Sequence, residues 1–171
     1  MQGEKVTLRA LEPEDLEFLF QMENDNSLWE VSHTQTPFSK FILKQYLENA
    51  HLDIFEAKQL RLIIADNKSK KAVGMIDLFD FNPQHKRAGV GIVLNKNATN
   101  HGYAGEALSI LIEYAFNTLH LHQLYASMTD DNTKSIHLFE KLNFQKVGIK
   151  KDWIATQNGF KDEFFYQLIH E

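Results

Sequence analysis

The chain has 171 residues, 43% of them hydrophobic, 24% charged and 12% aromatic, with a formal charge of -5 and no cysteine. This is enough apolar material for one core, so a single domain over residues 1–171 is expected, while a disulfide framework, a thiolate metal site and a cysteine acyl-enzyme are excluded. The acidic balance argues against a nucleic-acid partner, MQGEKVTLRA has no apolar signal core and no run approaches the ~20 apolar residues of a membrane helix, so a cytoplasmic protein is expected.

Val6 to Arg9 alternates and reads as a strand. Pro13 opens a helix toward Glu23, because its missing N–H costs nothing in a first turn. Glu14 and Asp15 favour the same end of the helix dipole. Asn24 to Pro37 shows no period and reads as a long irregular loop. A second helix is expected from Ser39 to His51.

Gln59 to Ala65 and Ala72 to Phe81 read as a hairpin around the polar turn Asp66-Asn67-Lys68-Ser69. Arg87 to Leu94 is a further strand, and its Gly89 and Gly91 suggest a bulge or the close approach of another group. A long helix runs from Gly102 to Leu119, with Ala104, Ala107, Leu108, Leu111 and Ala115 on one face. Leu124 to Met128 is a short strand and Asn132 to Leu142 a helix. Gln145 to Ile154 and Phe160 to Ile169 close the chain as strands around Gln157-Asn158-Gly159, whose Asn-Gly pair signals a hairpin. Only the connection through Gly102 to Leu119 requires a crossover. The fold class is mixed α/β, with a largely antiparallel sheet flanked by helices.

The stretch Val90 to Leu111 carries the chemistry. A strand with glycines leads through a loop into Gly102-Tyr103-Ala104-Gly105. A helix start offers unpaired N–H groups and the positive end of a dipole. Small residues there let phosphate approach the backbone, and a pyrophosphate fits such a place, although the pattern alone is equally that of a plain helix start after a tight turn.

These elements, in this order, resemble the GNAT N-acetyltransferases over nearly the whole chain. The family signature is Gln or Arg, then Gly three residues on, then Gly or Ala two further on. Here that frame is Thr99-Asn100-His101-Gly102-Tyr103-Ala104, continued by Gly105. Thr99 stands where Gln or Arg is usual. A second matching block runs from Asp131 to Phe144 and carries Asn132, Ser135 and Phe139. Helix capping also accounts for Asn132 and Ser135. Thr7 to Leu16 and His85-Lys86-Arg87-Ala88 are similar to the branch that holds spermidine/diamine and ribosomal-protein N-terminal acetyltransferases.

The resemblance implies acetyl-CoA as co-substrate, held in a central splay between the Arg87–Leu94 and Leu124–Met128 strands. Backbone groups of Ile92, Val93 and Leu94 would meet the pantetheine, and the 99–105 loop the phosphates. Asn132, Ser135 and Phe139 complete the expected cofactor side. A primary amine would attack directly, whether a polyamine, a peptide N-terminus or another small amine. Glu23, Glu30, His33 and Asp80 are expected to wall its site. Asp77 is the candidate base, because its alternation partners Met75 and Phe79 are apolar and burial would raise its pKa. Some relatives carry Glu where this chain has Gly89, and Tyr as general acid where it has Phe139. Slower turnover, or another donor such as Tyr103 or water, would then replace that acid.

No metal is expected, since His120 and His122 lack partners and suit a helix C-terminus. A homodimer is the default assembly. The competing function is an acyl-CoA sensor with weak turnover.

Overall fold

The computed structural model describes residues 1–32 and 34–171. Among these, seven strands form one sheet in the order β1-β2-β3-β4-β5-β7-β6. The strands are β1 (Val6–Arg9), β2 (Leu60–Asp66), β3 (Ala72–Asn82), β4 (Arg87–Leu94), β5 (Gln123–Thr129), β6 (Gln145–Thr156) and β7 (Gly159–Ile169). Neighbours are antiparallel except β4 and β5, which run parallel.

The helices are α1 (Leu16–Glu23), α2 (Trp29–Ser32), α3 (Lys40–Glu48), α4 (Ile54–Ala57), α5 (Tyr103–Asn117) and α6 (Thr133–Lys141). Pro13–Asp15 forms a 3-10 turn leading into α1, as its proline foreshadowed. The Ser39 hydroxyl caps α3 by accepting from the Ile42 amide. Two short helices depart from the expected loops. α2 lies inside the segment read as irregular, and α4 starts where the Asp53 carboxylate accepts from the Phe55 and Glu56 amides.

α5 is the expected crossover between the parallel strands. A second connection also skips a place: β5 runs through α6 into β6, and β7 inserts between the two. The β6–β7 turn closes on Thr156↔Gly159, so Gln157 and Asn158 occupy its tip. Gly159, at φ +125, begins the return strand.

Strand alternation divides the core. Leu8, Leu62, Ile64, Ile76, Leu78, Val90 and Leu124 bury toward one face, against Ala107, Leu108 and Leu111 of α5. Ile63, Ala65 and Met75 bury toward the other, against Leu19 and Met22 of α1 and Leu43 of α3. At ~25 cal/mol per Å² of apolar surface, these two layers supply the main force holding the sheet between its helices.

β4 and β5 pair only at Arg87↔Gln123, Ala88↔Leu124 and Gly89↔Tyr125. Beyond Gly89 and Tyr125 the strands part, which is the expected splay. β4 remains bonded to β3 as far as Gly74↔Leu94, so its other edge faces the gap with backbone groups not used by β5.

Among the described residues, no helix is long and apolar enough to cross a membrane.

Candidate active site

One cavity of about 700 Å³ spans the splay and the sheet face beneath α1 and α2. Ile92 and Val93 line it from β4, and Asn132, Ser135 and Phe139 from α6. Glu23, Glu30, Asp77 and Asp80 line its other end. The expected cofactor and acceptor residues thus meet in one space.

The remaining expectations fall elsewhere. His33 lies outside the described residues. Leu94 and the whole run Thr99 to Gly105 are not among the residues lining the cavity. The loop nonetheless has the backbone an anion site needs. Asn100 and Gly102 take φ of +66 and +81, and Gly102 caps α5 without any side-chain bond to its first amides. Gly105 sits near Leu138 of α6, with room for an added Cβ at 3.9 Å from the Leu138 side chain. The α5 start therefore adjoins the helix that bears Asn132 and Ser135. The Asn132 side chain accepts from the Ser135 amide at 3.2 Å, so it caps α6 while lining the cavity.

Glu106 lies in the first turn of α5. Its carboxylate accepts the backbone N–H groups of Glu4, Lys5 and Val6, each at 2.8 Å. It pins the start of β1 to α5.

Tyr103 is not placed to donate a proton in the cavity. α5 lies against β1 and β2, and the phenol points to the end of β2, where it donates to Asp66 at 3.1 Å. Burial, then this bond, raises its pKa.

Asp77, the candidate base, is not the isolated buried carboxylate that its apolar neighbours suggested. Its flanking residues are apolar, but its cross-strand partner is Arg61. The Arg61 Nε and Nη2 donate to the two Asp77 oxygens at 2.8 and 2.9 Å, and Nη1 donates to Glu23. Burial opposes the guanidinium charge, yet the Asp77 charge and hydrogen bonds outweigh it and raise the Arg61 pKa.

Several lining residues escaped sequence reasoning: Arg61, Tyr125, Ser127 and Trp153. Phe79, Tyr125 and Phe165 make an aromatic row, with centroids 5.9 and 5.5 Å apart. The Phe79 ring covers Gly89 so closely that an added Cβ would stand 2.3 Å from it. That ring fills the space where some relatives are expected to carry Glu. Lys161 of β7 bridges Glu30 of α2 and Asp131, which ties α2 to the sheet.

The charge of the cavity is negative. Glu23, Glu30, Asp77, Asp80 and Glu163 line it against Arg61 and Lys150. Such a wall, beside a gap between parallel strands, suits a cationic group next to an extended chain.

The acetyltransferase (GNAT) domain family matches residues 5–145. A spermidine N(1)-acetyltransferase of Vibrio cholerae is 28% identical over 144 residues, 84% of this chain and 81% of that protein. One of Escherichia coli is 29% identical over 143 residues, 84% of this chain and 74% of that protein. Among solved structures, the Vibrio cholerae spermidine N-acetyltransferase in complex with CoA and spermine superposes with a TM-score of 0.86 at 24% identity, covering 98% of this chain and 96% of that one.

Proposed function

We propose, from the premise that this chain belongs to the GNAT acetyltransferase family and is an N-acetyltransferase, that its acceptor is a small cationic amine of the diamine or polyamine class. The observation that carries this reading is the single cavity in which five carboxylates stand beside the β4–β5 gap. An ammonium ion gains from such a wall, and a second ammonium on the same molecule gains again. The relatives named for spermidine lend the same support.

The acetyl donor is acetyl-CoA. Its pantetheine arm would lie in the splay along Ile92 and Val93. Its phosphates would meet the amides at the start of α5, where Asn100 and Gly102 turn the backbone toward them. Backbone N–H groups at the free edge of β4 would polarise the thioester carbonyl.

The chain has no cysteine, so the amine attacks the thioester directly in a ternary complex. It arrives mostly protonated, with a free pKa of about 10.4. One proton must leave before attack and another after it. One of the two ends on the departing thiolate.

The test is release of free CoA thiol from acetyl-CoA by the purified protein, with different amines. Spermidine and short diamines should release it faster than peptides with free N-termini or aminoglycosides. Equal or faster release with a monoamine or a peptide would overturn the acceptor class while leaving the acetyltransferase in place.

A further inference from the structure

Four of the five carboxylates in the cavity are held by a cation. Glu23 and Asp77 accept from Arg61, Glu30 from Lys161, and Glu163 from Lys150. Asp80 differs. Among the described residues its side chain is bonded to one neutral group, the Tyr125 hydroxyl, which donates to it at 3.2 Å.

The place of this pair in the sheet is specific. Tyr125 belongs to the last pair, Gly89↔Tyr125, before β4 and β5 part. Asp80 lies in the irregular stretch of β3 between Phe79 and Asn82, at φ +48. A non-glycine residue in the left-handed region carries a cost, and such strain concentrates at functional sites. From this bulge the Asp80 carboxylate reaches a tyrosine two strands away, whose ring stands 5.9 Å from that of Phe79. The pair thus sits at the vertex of the splay, where a thioester entering the gap would meet an amine from the acidic wall.

We infer that Asp80 and Tyr125 form the proton relay of the acetyl transfer, Asp80 as acceptor from the substrate ammonium and Tyr125 as donor to the CoA thiolate. The inference rests on the acetyltransferase reading above. In the first step Asp80 takes a proton from R–NH3+ and leaves R–NH2. The amine nitrogen then bonds to the thioester carbonyl carbon and the C–S bond breaks. As it breaks, the thiolate takes the Tyr125 proton. Protonated Asp80 returns its proton to the phenolate along their shared hydrogen bond. The second proton lost by nitrogen goes to solvent. Net, the ammonium has given up two protons, one to CoA–SH and one to water, and both side chains are restored. Burial, then the Asp80 charge and bond, push the Tyr125 pKa up to about 12, so the phenol carries its proton until the thiolate forms. This relay supplies what Phe139, without a hydroxyl, does not.

Two variants preserve the structure while removing each function. Asn tolerates the left-handed conformation, so Asp80→Asn keeps the bulge. Tyr125→Phe keeps the ring against Phe79 and Phe165. Each is expected to lose about 100-fold in kcat with melting temperature unchanged. The discriminating readout is the partner chemistry. The Tyr125→Phe loss should nearly vanish with an acetyl thioester of 4-nitrothiophenol, whose thiolate leaves without a proton. The Asp80→Asn loss should shrink with a weakly basic amine that is already unprotonated in the assay. Losses of the same size with every donor and acceptor, or full kcat in either variant, would overturn the relay and leave the acetyltransferase standing. A wild-type chain silent with both donors would remove the enzyme reading and the relay with it.

Discussion

Arg61 and Asp77 face each other directly across the β2–β3 ladder, joined by two bonds of 2.8 and 2.9 Å. Both side chains are only 19% exposed, and Glu23 of α1, at 12%, shares the same guanidinium. The Arg61 fork therefore fastens α1 to the sheet and shapes that end of the cavity. Arg61→Met would leave two part-buried carboxylates without a cation. A broken pair of this kind costs roughly 3–5 kcal/mol, and in a chain of this size each kcal/mol lowers the melting temperature by roughly 2–4 °C. Arg61→Lys should recover only part of the loss, since an ammonium cannot make both bonds. Thermal unfolding of the three proteins checks this, and equal melting temperatures would contradict it.

This network shows where the sequence stopped being readable. The β2–β3 hairpin is plain from alternation and its polar turn. Its register is not. Ala65 pairs with Ala72, and that register extended would set Arg61 against Ile76. A shift between Ile64 and Ala65 moves the ladder by one, so Arg61 meets Asp77. One residue of slip exchanges the two faces of a strand, and here it decides whether Asp77 is a buried acid or half of an ion pair. β4 was legible to its end residues because glycine, proline and polar runs bound it. Tyr125 was not, because its place at the gap follows from where two strands of distant sequence part. Tyr103 was misplaced for a related reason: the packing of α5 on β1 and β2, not the loop before it, aims the phenol at Asp66.

Thr99 is exposed beside the start of α5, and among the described residues its hydroxyl donates only to the Lys96 carbonyl, at 3.1 Å. Thr99→Arg therefore adds a guanidinium at the expected phosphate site without disturbing the core. Paired to a phosphate, it forms a charge-assisted bond. The KM for acetyl-CoA should fall by about threefold to tenfold, the equivalent of roughly 1 kcal/mol. The gain should fade as salt is raised, because an exposed pair is screened over about 10 Å at 0.1 M. Steady-state kinetics at two ionic strengths measure this. A KM that does not move would place the phosphates elsewhere.

Asp66 supplies an acid limb to stability. The Ser69 hydroxyl and amide, ahead of opposing burial and a smaller contribution from Tyr103, hold its pKa down to about 2, below the ordinary 3.8. A carboxyl depressed on folding stabilises the folded chain above the unfolded value, and that stability drains as pH falls toward the folded value. Ser69→Ala removes the hydroxyl donor, which lies 2.6 Å from Asp66. Its melting temperature should lie below that of the parent near neutral pH. The gap should narrow as pH drops from about 4 toward 2, where the carboxyl protonates in both. A gap that stays constant over that range would trace the loss to something other than the Asp66 charge.

Phe139 offers the sharpest check on how the thiolate gains its proton. It is 3% exposed, lines the cavity from α6 and meets the Phe144 ring edge-on at 4.9 Å. Phe139→Tyr adds one oxygen to a ring already fixed by that packing. If Tyr125 already protonates the leaving thiol, a second phenol has little left to do, and kcat in the otherwise unchanged chain should rise by less than about threefold, well short of a general acid's full effect. In the Tyr125→Phe background the same change meets a missing donor. There it should restore kcat by about tenfold or more, and the recovery should be confined to acetyl-CoA, absent with an activated thioester whose thiolate needs no proton. The two substitutions are thus expected to be strongly non-additive, as groups serving one step are. Independent effects in the double variant would mean that the two rings act on different steps.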